Sequence, residues 1–316
     1  MMNLTEVHAR RQPGRHPVGM AAVLLPFDEN GDIAEEAYVN CLHDTIKAGL
    51  TPAINMDTGY VNLLTDSEKA RVLGIVKDAL GDSGTPFLAG AFIEGQDGDV
   101  VELYRREIAR IAEHGGTPIL FQTSRLHNLP AADVVDAYDR ATRDVPSAYA
   151  FELGKMFAPN GEIWSTEVFE GILGIEQIRG AKHSSLDRVI ELERLETRDR
   201  IRPDFNVFTG NDLGIDMIEY GSDYLLGLAA FSPEKFAERD RLWAAQDPGY
   251  FAVADALQLL GNIAFRPPVP AYKHSAATFL HILGKIPTNK THPRSPERPE
   301  WEREILSDCA RRLLLI

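Results

Sequence analysis

Lys182 is the residue whose type and setting point most directly to chemistry. It follows Ile178-Arg179-Gly180-Ala181 and precedes His183-Ser184-Ser185. A lysine at the end of a short apolar stretch faces burial, which disfavours the ammonium form and lowers the pKa. A neutral amine facing a pocket is the nucleophile that Schiff-base formation on a carbonyl requires. The alternative for the same residue is a strand-end lysine whose head snorkels to solvent.

Other chemistries find less support. The nine histidines show no HExxH or other ligand spacing, and Cys41 and Cys309 stand far apart. No metal site, cofactor or disulfide framework is expected. After the first apolar run comes Pro26-Phe27-Asp28-Glu29-Asn30-Gly31, without GxGxxG, and no GxxxxGK[ST] occurs. The formal net charge of −14 excludes the basic face a nucleic-acid partner needs and argues against anionic membranes. Arg10, Arg11 and Arg15 are followed only by the short apolar run Met20 to Pro26, so neither a signal peptide nor a membrane span is expected. A cytoplasmic location follows from this reading.

Positioning a strand-end lysine takes a repeated framework. Strand-like runs occur at Ala21–Leu25, Thr51–Met56, Pro86–Ala91, Pro118–Phe121, Ala148–Leu153, Gln177–Lys182, Asn206–Thr209 and Asp223–Leu228. The first seven begin about 30 residues apart, the length of a βα unit. Helix-period stretches alternate with them: Ala34–Ala48, Asp66–Leu80, Asp99–His114, Ala131–Thr142, Thr166–Leu173, Leu186–Leu195, Asp212–Tyr220 and Pro233–Ala244. Thr65 with Glu68 reads as a capping box. The pattern predicts an α/β fold, a (β/α)8 TIM barrel, in preference to a doubly wound open sheet. Residues 1–17 form an N-terminal arm, 18–247 the barrel and 248–316 a helical extension packed on it. The extension's helices are expected at Tyr250–Ala264, Val269–Leu283 and Pro299–Leu314. In such barrels chemistry sits at the C-terminal ends of the strands, where Lys182 ends the sixth.

Several segments, in order, resemble the dihydrodipicolinate synthase / N-acetylneuraminate lyase family of class I aldolases. Ala21 to Phe27 with Gly31 resembles the family's "tPF…G", and Thr58-Gly59 with Leu64 to Lys69 resembles "GTTGE…LT..E". Gly180 to Asp187 resembles "GiKdSsgD", which holds the Schiff-base lysine, and Phe208 to Asp212 resembles the "sGdD" loop. Gly221 to Ala230 resembles the last strand, and Pro270-Ala271-Tyr272-Lys273 ahead of Leu283-Gly284 resembles the C-terminal helices.

The departures limit what the resemblance implies. Asp57 replaces the first of two adjacent threonines and Tyr60 replaces the glutamate. The family's threonine region cradles the carboxylate of a pyruvate-like substrate, which Asp57 would repel unless protonated or turned away. A gapless register of the "YNxPxR" motif puts Ala150 in the slot of the proton-shuttling tyrosine. Lys155 then stands where an arginine often meets a distal carboxylate. Tyr149 faces the other side unless a bulge intervenes, while Glu152 shares the face of Ala150. Phe121 to Ser124 lacks the synthase branch's aromatic pair, so an authentic dihydrodipicolinate synthase is not expected.

The resulting catalytic set is Lys182 with Tyr60, Glu152, Tyr149 and Asp57 as acid/base candidates. Asp57, Thr58, Lys155, Gly210 and Leu225 form the substrate-binding set. Against these stand blander roles: Glu152 in an ion pair, Asp57 capping a turn, Tyr60 in a wall or subunit contact. His183 should point away from the site, Asn211-Asp212 should cap the seventh helix, and Lys273 should be structural. The expected activity is that of a cofactor-free class I aldolase-type lyase acting on a 2-oxo acid or related carbonyl compound, by C–C cleavage or condensation. The alternatives are a Schiff-base dehydratase of a sugar acid and a non-catalytic carbonyl-ligand-binding barrel. The resemblance also implies a homo-oligomer, dimer or tetramer.

Overall fold

A computed structural model describes residues 4–316. Its strands are β1 (Gly19–Ala22), β2 (Thr51–Ile54), β3 (Leu88–Ala91), β4 (Thr117–Phe121), β5 (Ala148–Leu153), β6 (Ile178–Ser184), β7 (Asn206–Thr209) and β8 (Asp223–Leu226). All eight are parallel and close in sequence order, β8 pairing with β1. The helices are α1 (Leu4–Ala9), α2 (Glu35–Lys47), α3 (Asp66–Leu80), α4 (Val100–Glu113), α5 (Ala131–Thr142), α6 (Thr166–Leu173) and α7 (Arg188–Ile201). They continue with α8 (Pro233–Ala244), α9 (Gly249–Ala264), α10 (Tyr272–Ile282) and α11 (Glu302–Arg312). The expected (β/α)8 barrel with further C-terminal helices is the fold found.

Strand alternation divides the core into two. Met20, Ala22, Ala53, Leu88, Ile119, Phe121, Phe151, Phe208 and Leu225 fill the barrel interior. Their neighbours Ala21, Ile54, Ala89, Leu120, Ala150, Val207 and Leu226 face the helices. Burying both faces of every strand explains the near-continuous apolar runs.

Local chemistry sets the ends. Thr65 and Glu68 form the anticipated reciprocal capping box at α3, a device worth about 1 kcal/mol. Asp187 accepts from Val189 and Ile190 and so starts α7 two residues later than the Leu186–Leu195 reading. The expected seventh barrel helix is instead a 3₁₀ segment, Ile215–Tyr220, preceded by Gly214 without a side-chain cap. β1 ends at Ala22, earlier than read, because Val23 to Leu25 run on as buried loop.

Within α10, Tyr272 to Leu280 are buried except His274. A helix apolar on nearly every side is enclosed by other elements. The N-terminal turn of α10 reaches the C-terminal end of β2, where Tyr272 and Lys273 meet Asp57.

Candidate active site

β5 and β6 set the site. Their register pairs Phe151 with Lys182 and Glu152 with His183, and β7 places Phe208 on the other side of Lys182. Alternation therefore sends Tyr149, Phe151 and Leu153 inward with Gly180, Lys182 and Ser184, while Glu152 and His183 point outward.

Lys182 is buried among aromatic rings, its Nζ 4.4 Å from the Phe151 ring centroid. Burial lowers its pKa from 10.5 to about 8, against the opposing pull of Asp212 and then Asp57. At pH 8 about half such amines are neutral, compared with about 0.3% of ordinary lysines. Gly210 makes this placement feasible. A Cβ there would stand 1.9 Å from Ser184 Oγ and 2.7 Å from Lys182 Cε. Ser184 Oγ itself is buried without a hydrogen-bond partner beside the amine.

Asp212 does not cap a helix. Its Oδ1 accepts from Leu228 N at 2.8 Å, tying the loop after β7 to the turn after β8. Burial raises its pKa to about 7, the Lys182 charge opposing that rise. Burial thus moves the Asp212 carboxyl up and the Lys182 amine down toward one another, an arrangement able to exchange a proton near neutral pH.

On the facing side of the barrel, Asp57, Thr58 and Gly59 form a 3₁₀ turn after β2. Tyr272 OH donates to Asp57 Oδ2 at 2.9 Å and lies 2.8 Å from Thr58 Oγ1. Lys273 Nζ pairs with the same Asp57 oxygen at 3.0 Å. The ammonium thus neutralises the carboxylate that would repel an anionic substrate. Tyr272 is stacked on Phe265 with centroids 4.3 Å apart, and burial holds its phenol well above the ordinary value. Gly227 gives it room, since a Cβ there would lie 3.0 Å from the Tyr272 ring and 3.2 Å from Thr58 Oγ1.

The other expected residues are dispersed. Glu152 lies outside the barrel wall, where its carboxylate accepts from His183, Arg194 and the Trp164 N–H. Its outward position removes it from the acid/base set, because it and Lys182 occupy opposite strand faces. Burial alone would raise its pKa, but His183 and Arg194 outweigh burial and hold it below the usual value. His183 points away as anticipated, yet is buried and not solvated.

Tyr149 does face inward, because β5 alternates without a break and Phe151 and Leu153 share its face; the extra residue in the β5–β6 pairing is Arg179 of β6. It packs on Phe208, two residues nearer the N-terminal end than Phe151. Tyr60, at φ +60°, is fully buried against Phe27 and His292, a wall position. Lys155 is exposed on the turn after β5. Leu225 is a buried interior residue of β8, and Gly210 serves packing beside Lys182.

The structure thus gathers Lys182, Asp57, Thr58 and Gly210, and adds Asp212, Ser184, Tyr272 and Lys273. Tyr272 has no local signal, since its partners Thr58 and Asp57 lie more than 200 residues away in sequence. The side chain of β5 beside Lys182 is Phe151, not Ala150, and it carries no hydroxyl. Among the described residues no cluster of three or more metal-ligating side chains occurs, and no helix is long and apolar enough to cross a membrane.

No protein-family model and no curated protein matches the sequence. Solved structures do. The chain is similar to a dihydrodipicolinate synthase from Thermotoga maritima, with TM-score 0.80, 15% identity, and 96% of this chain and 100% of that one covered. It is similar to a prophage protein of the dihydrodipicolinic acid synthase family from E. coli K12, solved with pyruvate, at TM-score 0.80 and 14% identity over 95% and 99% of the chains. A chloride-inhibited dihydrodipicolinate synthase from Acinetobacter baumannii, also complexed with pyruvate, matches at TM-score 0.78 and 17% identity over 96% and 100%. Identities this low carry the shared architecture alone.

Proposed function

We propose that the chain is a divergent member of the dihydrodipicolinate synthase / N-acetylneuraminate lyase family, a class I aldolase-type lyase that forms a Schiff base between Lys182 and a 2-oxo acid. The observation that carries the reading is Lys182 itself. It is an inward-facing, buried amine at the C-terminal end of a barrel strand, with its pKa lowered to about 8. Neutral Lys182 attacks the carbonyl carbon, and Asp212 takes up the proton released from nitrogen. Asp212 returns that proton to the carbonyl oxygen, which with one further proton from solvent leaves as water as the C=N bond forms. The iminium then draws electrons from the adjacent carbon. C–C cleavage or condensation follows from that electron sink. The pyruvate complexes of two structural neighbours support the choice of ligand class. Lys155, on the exposed rim, would meet an anionic group only on a substrate long enough to reach it.

A panel of 2-oxo acids with sodium borohydride, followed by intact mass, tests the proposal. At least one acid should leave a covalent adduct, formed faster as pH rises toward 8. Absence of any adduct across the panel would sink the reading.

Phe151 favours a second reading, a carbonyl-binding barrel without turnover, because the ring beside Lys182 has no proton to give. Adducts without C3 exchange or product formation would select it.

A further inference from the structure

We propose that Tyr272, carried by α10 in the C-terminal extension, is the catalytic acid/base that moves the proton at C3 of the bound 2-oxo acid, with Asp57 as the positioning group that holds it. The inference rests on the Schiff-base reading and supplies the group which that reading lacks.

A Schiff-base lyase needs a proton carrier beside the iminium. The β5 residue next to Lys182 is Phe151, which has none. Glu152 is sealed behind the wall with Arg194, Tyr149 packs lower on Phe208, and Tyr60 is enclosed by Phe27 and His292. Asp212, with one oxygen held by Leu228 N, is the group already assigned to the proton on the Lys182 nitrogen. Tyr272 remains, at the mouth of the barrel, between Thr58 and Asp57.

The hydrogen-bond directions fix how it would work. A phenol has one proton and two acceptor lone pairs. Asp57, paired with Lys273, is a carboxylate and only accepts, so the Tyr272 proton points to Asp57 Oδ2. Thr58 must then donate to the Tyr272 oxygen, which leaves one lone pair free. That lone pair is the base. Asp57 and Asp212 both act on Lys182, and Asp212 also acts on Tyr272, so the phenol and the amine share one locale.

In the step, the C3–H bond of the iminium breaks. Its electron pair forms the C2=C3 bond of an enamine, and the C=N pair returns to nitrogen. The proton passes to the Tyr272 oxygen while the phenolic proton passes to Asp57 Oδ2. A cationic iminium and an anionic carboxylate become a neutral enamine and a neutral acid, with Lys273 unchanged. Running the step backwards protonates the carbon left by C–C cleavage.

The test uses pyruvate in D2O with the full-length wild type, Tyr272→Phe and Asp57→Asn. Borohydride trapping reads Schiff-base formation, and NMR reads exchange of the C3 protons. Tyr272→Phe should form adduct at wild-type pyruvate concentrations, within about twofold, while exchange falls by ~10²-fold. Asp57→Asn should lose exchange by a similar factor per adduct formed, the normalisation allowing for the action of Asp57 on Lys182. Tyr272→Phe keeps the ring stacked on Phe265, and if it fails to fold, Asp57→Asn carries the measurement. Wild-type exchange retained in both variants, or wild-type adduct with no exchange at all, overturns the relay and leaves the Schiff base standing. No adduct in the wild type overturns both.

Discussion

At the scale of single residues, burial decides the chemistry. Phe151 and Phe208 flank Lys182, and desolvation there outweighs the pull of two carboxylates. The same desolvation makes Asp212 a source of instability. Its folded-state pKa of about 7 lies above its ordinary value of 3.8. It therefore costs nothing below about pH 4, and the folded state loses stability as pH rises from there to about 7. Asp212→Asn keeps an oxygen for Leu228 N and removes the charge. We expect the variant to be more stable than wild type at pH 8, by on the order of 4 kcal/mol, with the gap closing near pH 4. Equal melting across that range would contradict the assigned burial. The same variant should form adduct more slowly at pH 7, a trade of activity for stability.

At the scale of elements, register matters more than content. The strands and most helices were legible because periodicity of two and of 3.6 residues survives in the apolar positions. The Lys182 placement followed from it. What was not legible is which face each β5 residue takes, because both faces of the strand are buried and apolar residues line each of them. One residue of slip exchanges Phe151 for Ala150 beside the lysine and moves Glu152 outside the barrel. Contacts such as Tyr272 with Thr58, 214 residues apart, lie beyond local pattern altogether.

The outward Glu152 binds β5 and β6 to α7 through His183 and Arg194. Glu152→Ala leaves Arg194 buried without its carboxylate, and should cost about 3–5 kcal/mol in urea denaturation. Because the folded-state pKa of Glu152 is held below 4.5, its contribution is in force above that pH and fades as pH falls through the lowered value. The loss on mutation should therefore shrink in acid. A near-neutral effect at pH 7 would show that the network is not holding the wall.

At the scale of the molecule, we propose that the two ends of the barrel are divided between stability and chemistry. The N-terminal arm crosses the end opposite Lys182. Arg15 pairs with Asp223 at the start of β8 and donates to Ser222 O, and Arg11 pairs with Glu219. Asp223 is only 1% exposed and also accepts from Val18 N and Asn206. Arg15→Ala should lower stability by about 3 kcal/mol, a drop of several degrees in Tm, without slowing adduct formation at 25 °C. A variant that melts normally but traps poorly would break the proposed separation. The account stands most directly on where the covalent bond forms. Wild type and Lys182→Ala, each reduced with borohydride in the presence of pyruvate and mapped by peptide mass, decide it. We predict one reduced pyruvyl group per chain on the peptide containing Lys182, and none in the variant. Label on Lys273 or Lys155, or equal labelling of the variant, would contradict the account.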